Sequence, residues 1–316
     1  MIRVLVTGGA GFVGSVVVPL LLEDKRWSPQ FHVTVLDRFS HMENSLAMCC
    51  RDPKFEMVRG DCRDVRVLEP LMRHADVILP LAAMVGAPLC ALDEPAALSL
   101  NHLAIATLCG LASPSQRVIF PNTNSAYGTT APDEECTEDT PVKPISLYGR
   151  TKTDAENCVM DRENSIALRL ATAFGASPRQ RLDLLLNDFV YRAYLDKCVV
   201  VFEGHFRRNF IHVRDIANAF LHCIYKFDEM KGKVYNCGLS DANMTKIELC
   251  ERIKQHVPHF VYVESEIGSD PDKRDYTVSN KRIEATGFRC VMSVDDGIVE
   301  MLKLCPTLRN HRYSNL

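Results

Sequence analysis

The chain has 316 residues, of which 47% are hydrophobic and 24% are charged, and its formal net charge is −3. This composition is typical of a globular protein, and the slight acidic excess gives no electrostatic reason to expect binding to nucleic acid. No apolar run approaches the length of a membrane-spanning helix, and Met1 is followed directly by strand-like sequence. We therefore expect a cytoplasmic protein that has no signal peptide and does not cross a membrane.

The cysteines and histidines show no spacing that is typical of a metal or redox site. None of the thirteen cysteines forms a C-x-x-C pair, and none of the ten histidines lies in an H-E-x-x-H sequence. Cys49 and Cys50 are adjacent, but no neighbouring cysteine or histidine completes a set of ligands. We expect most cysteines to be small buried side chains, and we expect no metal.

A glycine-rich turn near the amino terminus links a predicted strand to a predicted helix. Residues 2–6 are an apolar run typical of a buried strand, and the apolar residues within 16–22 are typical of a helix. Between them, Gly8, Gly11 and Gly14 have the spacing G-x-x-G-x-x-G. Gly8 and Gly11 would let the backbone approach a pyrophosphate at the helix N-terminus, and Gly14 would let the helix pack close to the sheet. The alternative is an ordinary glycine turn.

The second predicted strand, residues 31–36, ends at Asp37. An acid at this distance from the glycines accepts hydrogen bonds from a ribose 2′-hydroxyl and repels a 2′-phosphate. Asp37 therefore favours NAD over NADP. The neighbouring Arg38 argues the other way, because a guanidinium at this point could bind a 2′-phosphate.

Further strands alternate with helices of crossover length. The strands are predicted at residues 55–58, 75–79 and 117–120, and the helices at residues 65–73 and 95–112. This alternation predicts an α/β fold built on a doubly wound parallel (Rossmann) sheet. The acidic, proline-containing stretch 129–144 is predicted to be a surface loop.

Two of these strand ends carry residues that suit a dinucleotide. Asp61 follows the third strand, where its carboxylate could accept a hydrogen bond from an adenine amino group; the alternative is an N-cap for the helix at 65–73. Leu81, Ala82 and Ala83 follow the fourth strand, and small side chains there permit the close approach of a cofactor.

The strict alternation ends after the sixth predicted strand, residues 166–170. We expect an NAD-binding Rossmann domain at residues 1–170, to which roughly residues 209–237 return. Residues 171–208 and 238–316 are expected to form a smaller, mixed α/β domain that binds the substrate.

Thr123, Tyr148 and Lys152 form the predicted catalytic group. Thr123 ends the fifth strand, and Tyr148 and Lys152 lie four residues apart, on one face of a helix predicted to reach about residue 164. Because an ammonium beside a phenol lowers the pKa of the phenol, Tyr148 could take the proton of a substrate hydroxyl while hydride leaves for nicotinamide. Thr123 could hydrogen-bond the same oxygen. For an isolated Tyr-x-x-x-Lys sequence, the alternative is an ordinary surface pair.

Motifs along nearly the whole chain resemble the extended short-chain dehydrogenase/reductase family, in particular its NAD-dependent nucleotide-sugar epimerases and dehydratases. The matching stretches include residues 7–14, 81–83, 123–128, 148–152, 207–215 and 235–238. The resemblance implies tightly bound NAD, a nucleotide-diphosphate sugar as substrate, and Thr123, Tyr148 and Lys152 as the catalytic residues. It also implies a homodimer in which the helix at 95–112 and the helix of Tyr148 pair across a two-fold axis.

The same resemblance assigns residues to two binding regions. Those expected at the cofactor are Gly8, Gly11, Phe12, Val13, Asp37, Asp61, Cys62, Leu81, Ala82, Ala83, Asn101, Tyr148 and Lys152. Those expected at the substrate are Met84, Thr123, Asn124, Ser125, Thr172, Asn187, Arg208 and Arg274. Asn187 is expected at the sugar diphosphate. Arg208 and the pair Lys273-Arg274 are expected at its phosphates, because the guanidinium fork matches phosphate oxygens; the alternative for each is a solvated surface charge.

Departures from the family pattern narrow the expected reaction. Dehydratase relatives carry an Asp-Glu pair after the catalytic threonine, and decarboxylase relatives carry a glutamate two residues after it, whereas this chain has Asn124 and Ser125. Neither side chain acts as an acid or a base near neutral pH, which favours an epimerase, most simply a 4-epimerase that works through a transient 4-keto sugar. Thr172 replaces a family asparagine and Pro80-Leu81 replaces a family histidine, so the sugar is not specified.

Three alternatives to epimerisation stay open. Net oxidation or reduction of a nucleotide sugar would show as stoichiometric turnover of NADH, and dehydration would show as loss of water from the sugar. An NAD-binding sensor without catalysis is the third, although relatives of that kind usually lack the tyrosine or the lysine, and this chain has both Tyr148 and Lys152.

Overall fold

The structure of the chain is a computed structural model that describes residues 1–25, 30–41, 44–130, 135–265, 267 and 274–309. Lys273, which was expected beside Arg274 at the substrate phosphates, lies outside the described residues, as do residues 131–134 of the predicted surface loop.

Strands and helices alternate through the first half of the chain. Within the described residues the strands are β1 (Ile2–Thr7), β2 (Phe31–Asp37), β3 (Phe55–Arg59), β4 (Val77–Pro80), β5 (Arg117–Thr123), β6 (Glu135–Cys136), β7 (Ser165–Leu170), β8 (Thr172–Phe174), β9 (Cys198–Val201), β10 (Arg207–His212), β11 (Lys233–Cys237), β12 (Asn243–Thr245), β13 (Val261–Glu264) and β14 (Thr277–Val278). The α-helices are α1 (Gly14–Glu23), α2 (Val65–Met72), α3 (Ala87–Leu92), α4 (Glu94–Leu98), α5 (Ala104–Leu111), α6 (Leu147–Met160), α7 (Leu185–Leu195), α8 (Val213–Tyr225), α9 (Phe227–Met230), α10 (Lys246–His256), α11 (Lys281–Ala285) and α12 (Val294–Leu304). Short 3₁₀ turns occupy Ala47–Arg51, Asn124–Tyr127 and Cys305–Thr307. Nowhere in these ranges is a helix both long enough and apolar enough to cross a membrane.

Seven parallel strands form the central sheet, in the order β11-β7-β5-β4-β1-β2-β3. One face packs on α1 and α8 and the other on α2, α5 and α6, which explains why Val4, Leu5 and Val6 of β1 are all buried. The strand order reverses between β1 and β4, and open parallel sheets bind ligands beyond the carboxyl ends of their strands at such a point. The predicted α/β class and doubly wound sheet are confirmed.

The chain returns to the central sheet through α8 and β11. Ile216 and Phe220 of α8 share an apolar cluster with Val17 and Leu21 of α1, and β11 pairs in parallel with β7. β10 lies within the expected return but pairs with β8 and β12 in a separate three-stranded sheet. The exact limits of the two expected domains stay predictions.

A second apolar core lies away from the central sheet. It is formed by α7, α10 and α12 together with β9 and β13, which pair in parallel. Phe189, Leu249 and Ile298 are among its buried side chains. We refer to these five elements, together with residues 175–184 that lead into α7, as the smaller lobe.

The stretch 129–144 is more than the surface loop that its composition predicts. β6 pairs in parallel with β14, far along the chain, and Cys136 is buried against Tyr276. The carboxylate of Glu138 is also buried, 3.4 Å from the Nε atom of Arg282. Local composition gave no sign of this pairing because both partner strands are only two residues long.

The helix predicted at residues 95–112 follows a continuous helical path, but a π turn at Ser99–Leu103 separates α4 from α5. Asn101 lies in this turn. Because π turns inside helices are frequent at functional sites, the contacts of Asn101 are candidates for a functional role.

Candidate functional site

A cavity of about 690 Å³ lies at the carboxyl edge of the central sheet. Its walls come from the glycine turn, the ends of β2, β4 and β5, the first turns of α6, and residues of the smaller lobe. The position is the one expected from the reversal of strand order, and the volume suits ligands of the size of a small cofactor or larger.

The glycine turn leaves room for a ligand and exposes backbone donors to it. Gly8 has a φ of +73°, and a Cβ atom there would lie 2.5 Å from the backbone nitrogen of Ala82. α1 begins immediately beyond the turn, Val13 at its N-cap gives no side-chain cap, and its first turn contains no acid. A helix N-terminus carries partial positive charge, so these residues fit the pyrophosphate of a dinucleotide.

Asp37 lies beside the glycine turn, as the sequence predicts. Its carboxylate accepts hydrogen bonds from the backbone N–H groups of Ala10 at 2.9 Å and Phe39 at 2.8 Å. These bonds fix the carboxylate at the cavity wall, where its remaining lone pairs can accept from a ribose. Arg38 also lines the cavity, but its side chain is largely exposed and lies 4.0 Å from Asp61.

Asp61 lines the cavity and forms an ion pair with Arg63, which the sequence motifs did not indicate. Arg63 donates to it from Nη2 at 2.6 Å, and this bond lowers the pKa of the Asp61 carboxyl. Asp64, not Asp61, caps α2 by accepting from the N–H of Arg66, so the alternative interpretation of Asp61 as the helix cap is wrong.

Asn101 shapes the loop after β4 from behind the cavity wall. Its Oδ1 atom accepts from the N–H of Met84 at 2.8 Å, and its Nδ2 atom donates to the carbonyl of Met84 at 2.9 Å. Leu81, Ala82, Ala83 and Met84 line the cavity, whereas Asn101 is buried and does not. Its amide therefore fixes the backbone of the loop that lines the cavity.

Thr123, Tyr148 and Lys152 all line the cavity. Thr123 ends β5, and Ser146 caps α6 by accepting from the N–H of Gly149 at 3.1 Å, which fixes the helix start beside that strand end. The hydroxyls of Thr123 and Ser125 share a hydrogen bond of 2.9 Å, and Arg274 donates to the Ser125 hydroxyl. The fold thus brings Thr123 of β5 to the same part of the cavity wall as Tyr148 and Lys152 of α6.

The phenol of Tyr148 lies in an environment that disfavours its ionised form. Burial raises the pKa of Tyr148 to about 12, and the charges of Arg274 and Arg181 and a hydrogen bond with Thr123 oppose the effect of burial. From the sequence, Lys152 was expected to lower this pKa, but the cations that lower the pKa of Tyr148 most are Arg274 and Arg181. Arg181 was not foreseen because it lies in a different part of the chain.

Lys152 is buried, with its Nζ atom 4.0 Å from the centre of the Phe120 ring. Burial lowers the pKa of Lys152 to about 7, and the nearby Glu156 opposes that shift. Near neutral pH the side chain is therefore close to the point at which it gains or loses its charge.

Arg208 and Arg274 lie together at the cavity wall. Arg208 donates from Nη1 to the carbonyl of Arg207 at 2.8 Å and to the carbonyl of Arg274. It is only 2% exposed, so the alternative interpretation as a solvated surface charge is wrong for Arg208. Thr172 of β8 lines the cavity as well.

Asn124 and Asn187 are not brought to the cavity wall. Asn187 is fully buried, and its Nδ2 atom donates to the carbonyls of Gly175 at 3.2 Å and Arg181 at 2.9 Å, while Oδ1 accepts from the N–H of Gly175 at 2.9 Å. With both amide protons used by the backbone, Asn187 shapes residues 175–181 and cannot also donate to a diphosphate. Asn124 is buried, and neither polar atom of its amide has a hydrogen-bond partner among the described residues.

Several charged cavity residues were not identified from the sequence. They are Arg179, Arg181, Asp183, Asp188 and Lys246. Arg181 is paired with Asp183, with its Nη2 atom 2.5 Å from a carboxylate oxygen. The available signal was the charged Arg-Gln-Arg sequence shortly after the sixth strand, but nothing local shows that it folds inwards. Within the part of the chain that is described, no three potential metal ligands lie together.

The fold and the arrangement of the cavity agree with the result of a family comparison. Residues 4–238 match the sequence model of the NAD dependent epimerase/dehydratase family. The chain belongs to this family. The predicted family and the predicted cofactor, NAD, are thereby confirmed.

Relatives of similar length differ in the reactions that their names describe. Low-salt glycan biosynthesis protein Agl12 of Haloferax volcanii is 30% identical over 309 residues, which cover 93% of this chain and 96% of that protein. The dTDP-D-glucose 4,6-dehydratase of Mus musculus is 25% identical over 316 residues, which cover 94% of this chain and 86% of that protein. The solved UDP-glucuronic acid 4-epimerase of Bacillus cereus, in complex with UDP-glucuronic acid and NAD, superposes with a TM-score of 0.84 at 21% identity and covers 98% of this chain and 100% of its own. At that identity the match establishes the fold.

Proposed function

We propose that this protein is a nucleotide-sugar epimerase that inverts C4 of the sugar through a transient 4-keto sugar nucleotide. The observation that carries the proposal is the grouping of Thr123, Tyr148 and Lys152 at the cavity wall, with the neutral Ser125 bonded to Thr123 where dehydratases and decarboxylases of the family place acids. The mouse relative is named as a dehydratase, so the choice between reactions depends on this difference at Asn124 and Ser125.

The chain's own residues provide the proton transfers. NAD, when bound, supplies the acceptor for the C4 hydride and the donor for its return. Tyr148 takes the proton of the 4-hydroxyl and gives it back to the ketone oxygen after the sugar has presented its other face. Thr123 hydrogen-bonds the same oxygen, and Arg274, through Ser125, holds Thr123 in place. Arg274 and Arg181 supply positive charge that favours the phenolate.

Binding is divided between the two sides of the cavity. On the side of the glycine turn, the residues proposed to hold NAD are Gly8, Gly11, Phe12, Val13, Asp37, Asp61, Cys62, Leu81, Ala82 and Ala83, with Lys152 at the nicotinamide ribose. On the other side, Arg208 and Arg274 are proposed to bind the diphosphate of the sugar nucleotide, and Met84 and Thr172 to face the sugar. Asn101 and Asn187 support these contacts from behind the wall.

The proposal is tested by incubating the purified protein with a panel of nucleotide sugars and analysing the products by NMR. The expected result is a mixture of two 4-epimers that reaches equilibrium without net formation of NADH. Tyr148→Phe is expected to lower turnover by roughly 10²- to 10⁴-fold, the usual contribution of a general acid or base, while binding of the nucleotide sugar is kept. Tyr194→Phe, at an exposed tyrosine outside the cavity, is the matched control and is expected to be fully active.

Three other results would replace the proposed activity. A product that has lost water identifies a dehydratase, and stoichiometric formation or consumption of NADH identifies a net oxidoreductase. Bound NAD whose absorbance does not respond to any sugar nucleotide identifies a non-catalytic protein. A cytoplasmic location and a homodimer stay predictions for this protein.

A further inference from the structure

Arg179 is a cavity residue for which the proposed reaction has no use so far. Its side chain is 2% exposed and is the largest among the fully buried side chains of the described residues. It lies at the cavity wall, and its Nη1 atom donates to the carbonyl of Gln180 at 2.5 Å. A guanidinium at the wall of a ligand cavity offers a fork of donors that matches an anionic ligand such as a phosphate.

Hydrogen bonds join the backbone around Arg179 to the glycine turn and to α1. The N–H of Arg179 donates to the hydroxyl of Ser15 at 3.3 Å, and the Ser177 hydroxyl donates to the carbonyl of Phe12 at 2.7 Å. The hydroxyls of Ser15 and Ser177 share a third bond of 2.9 Å. Ser15 is the second residue of α1. Arg179 is therefore anchored from the smaller lobe at the helix N-terminus that fits a pyrophosphate.

Two sources of positive charge meet at this part of the cavity wall. The N-terminus of α1 is uncapped and has no acid in its first turn, so it has partial positive charge, to which Arg179 adds a full charge. His41, on the same cavity wall, senses this charge, because its pKa is lowered first by burial and next by Arg179.

We propose that Arg179 is a cofactor-binding residue whose guanidinium binds the pyrophosphate of NAD from the side opposite the N-terminus of α1. This inference rests on the proposed placement of NAD at the glycine turn, and not on the choice of reaction. A fork of donors from the smaller lobe and backbone N–H groups from α1 would hold the same pyrophosphate from two sides. Release of NAD then requires the segment 175–184 to move away from the turn, so the cofactor stays bound between turnovers.

The test measures how tightly the Arg179→Met variant binds a ligand that contains phosphate and a ligand that does not. Methionine keeps an unbranched apolar stem and removes the charge, and replacement of a buried ion by an apolar side chain is commonly tolerated. The variant is expected to retain less NAD through gel filtration and to bind ADP-ribose roughly ten- to a hundredfold more weakly in calorimetry, since one charge-assisted contact is lost. Binding of adenosine, which has no phosphate, is expected to be unchanged.

Arg208→Met is the matched control. Arg208 is as deeply buried as Arg179 and lines the same cavity, but it lies with Arg274 on the side proposed for the substrate. The variant is expected to bind ADP-ribose as the wild type does. If Arg208→Met weakens ADP-ribose as much as Arg179→Met does, the effect is not specific to Arg179 and the inference is wrong.

The remaining outcomes are equally decisive. Wild-type affinity of Arg179→Met for ADP-ribose contradicts the inference, and so does an equal loss of adenosine and ADP-ribose, which indicates a damaged fold. If circular dichroism shows that Arg179→Met does not fold, the Arg179→Lys variant is used in its place. It is expected to release NAD faster than the wild type and to bind adenosine with wild-type affinity. Release of NAD at the wild-type rate would overturn the inference. A wild-type protein that binds neither NAD nor ADP-ribose would refute the proposed cofactor site itself.

Discussion

Tyr148 and Lys152 illustrate, at the scale of single residues, a conflict between burial and charge. Burial raises the pKa of Tyr148 to about 12 and lowers the pKa of Lys152 to about 7. The proposed proton transfer needs the opposite tendencies, a phenolate beside an ammonium. The cations that reduce the conflict most are Arg274 and Arg181, both of which come from distant parts of the chain.

Arg274→Gln tests this electrostatic support. Removing the cation is expected to raise the pKa of Tyr148, so the acidic limb of the profile of kcat/KM against pH should move upwards by about one pH unit. Arg274→Lys keeps the charge and is expected to keep the position of the limb, even if the loss of the guanidinium fork raises KM. If the glutamine variant shows the wild-type profile, Arg274 does not act on Tyr148.

Lys152→Met is expected to make the protein more stable and inactive. The pKa of about 7 in the folded protein lies below the ordinary lysine value of 10.5, so the unfolded chain holds this proton more tightly between those two pH values. The charge therefore costs stability in full below pH 7, and the cost vanishes as the pH rises towards 10.5. We expect a gain in the free energy of unfolding on the order of 1–3 kcal/mol at pH 6 that shrinks towards pH 10.

The measurement for Lys152→Met is urea unfolding at several pH values, with NAD content matched between samples. Lys226→Met, at an exposed lysine paired with Glu229, serves as the control and is expected to change stability by less than about 0.5 kcal/mol. A Lys152→Met protein that is less stable than the wild type at pH 6 would show that the buried charge is stabilising.

At the scale of secondary-structure elements, a buried polar network joins α6 to the central sheet behind the catalytic group. Glu156 of α6 and Arg169 of β7 are both buried, with Nη2 and Oε1 2.6 Å apart. Asn122 of β5 donates to Glu156 at 2.6 Å, and Arg169 donates to the Tyr127 hydroxyl at 3.0 Å. Since α6 also carries Tyr148 and Lys152, the network helps to fix the helix against the strand end of Thr123.

Glu156→Leu is expected to lower the free energy of unfolding by about 3–5 kcal/mol, because the buried charge of Arg169 is left without its partner. The double variant Glu156→Leu/Arg169→Met removes both charges and should lose much less. As a control, Glu69→Leu breaks the exposed pair with Arg73 and is expected to cost at most about 1 kcal/mol. Equal losses in the single and the double variant would argue against a coupled pair.

The sequence predicted the elements of the central sheet well because their apolar runs are long and their order repeats. It also predicted Thr123, Tyr148 and Lys152 as a group, since the end of a strand and one face of a helix are local features. It did not predict that the amide of Asn187 makes its hydrogen bonds to the backbone of residues 175–181. Nor did it predict that the charge of Arg181 lowers the pKa of Tyr148. Both depend on how a segment without regular structure folds back onto the cavity, which no periodic pattern records.

At the scale of the whole molecule, the helical path from α3 to α5 leaves large apolar side chains in contact with solvent. Leu92, Leu98 and Leu103 are 75%, 42% and 50% exposed. Leu98 and Leu103 lie on the helical path 95–112 that is expected to pair across a two-fold axis, and Leu92 ends α3 just before it. An exposed apolar strip of this kind is typical of a surface that associates with another protein.

Leu103→Glu is expected to convert a wild-type dimer to a monomer in sedimentation velocity, because a charge would be buried in the interface. Leu195→Glu is the matched control, since Leu195 is 51% exposed but lies on α7 in the smaller lobe. It should leave the dimer intact. A monomeric wild type, or a dimer that persists in Leu103→Glu, would rule out this interface.

The proposed reaction requires hydride to leave C4 of the sugar and to return to the same carbon within one site. The most direct test uses the nucleotide sugar that the panel identifies, labelled with deuterium at C4, and follows the label by NMR and mass spectrometry. We predict that the 4-epimer keeps its deuterium at C4, that no labelled NADH is released, and that Tyr148→Phe abolishes the exchange. Deuterium released on free NADH, or moved to C6 of a product that has lost water, would show that the protein is not a 4-epimerase of this kind.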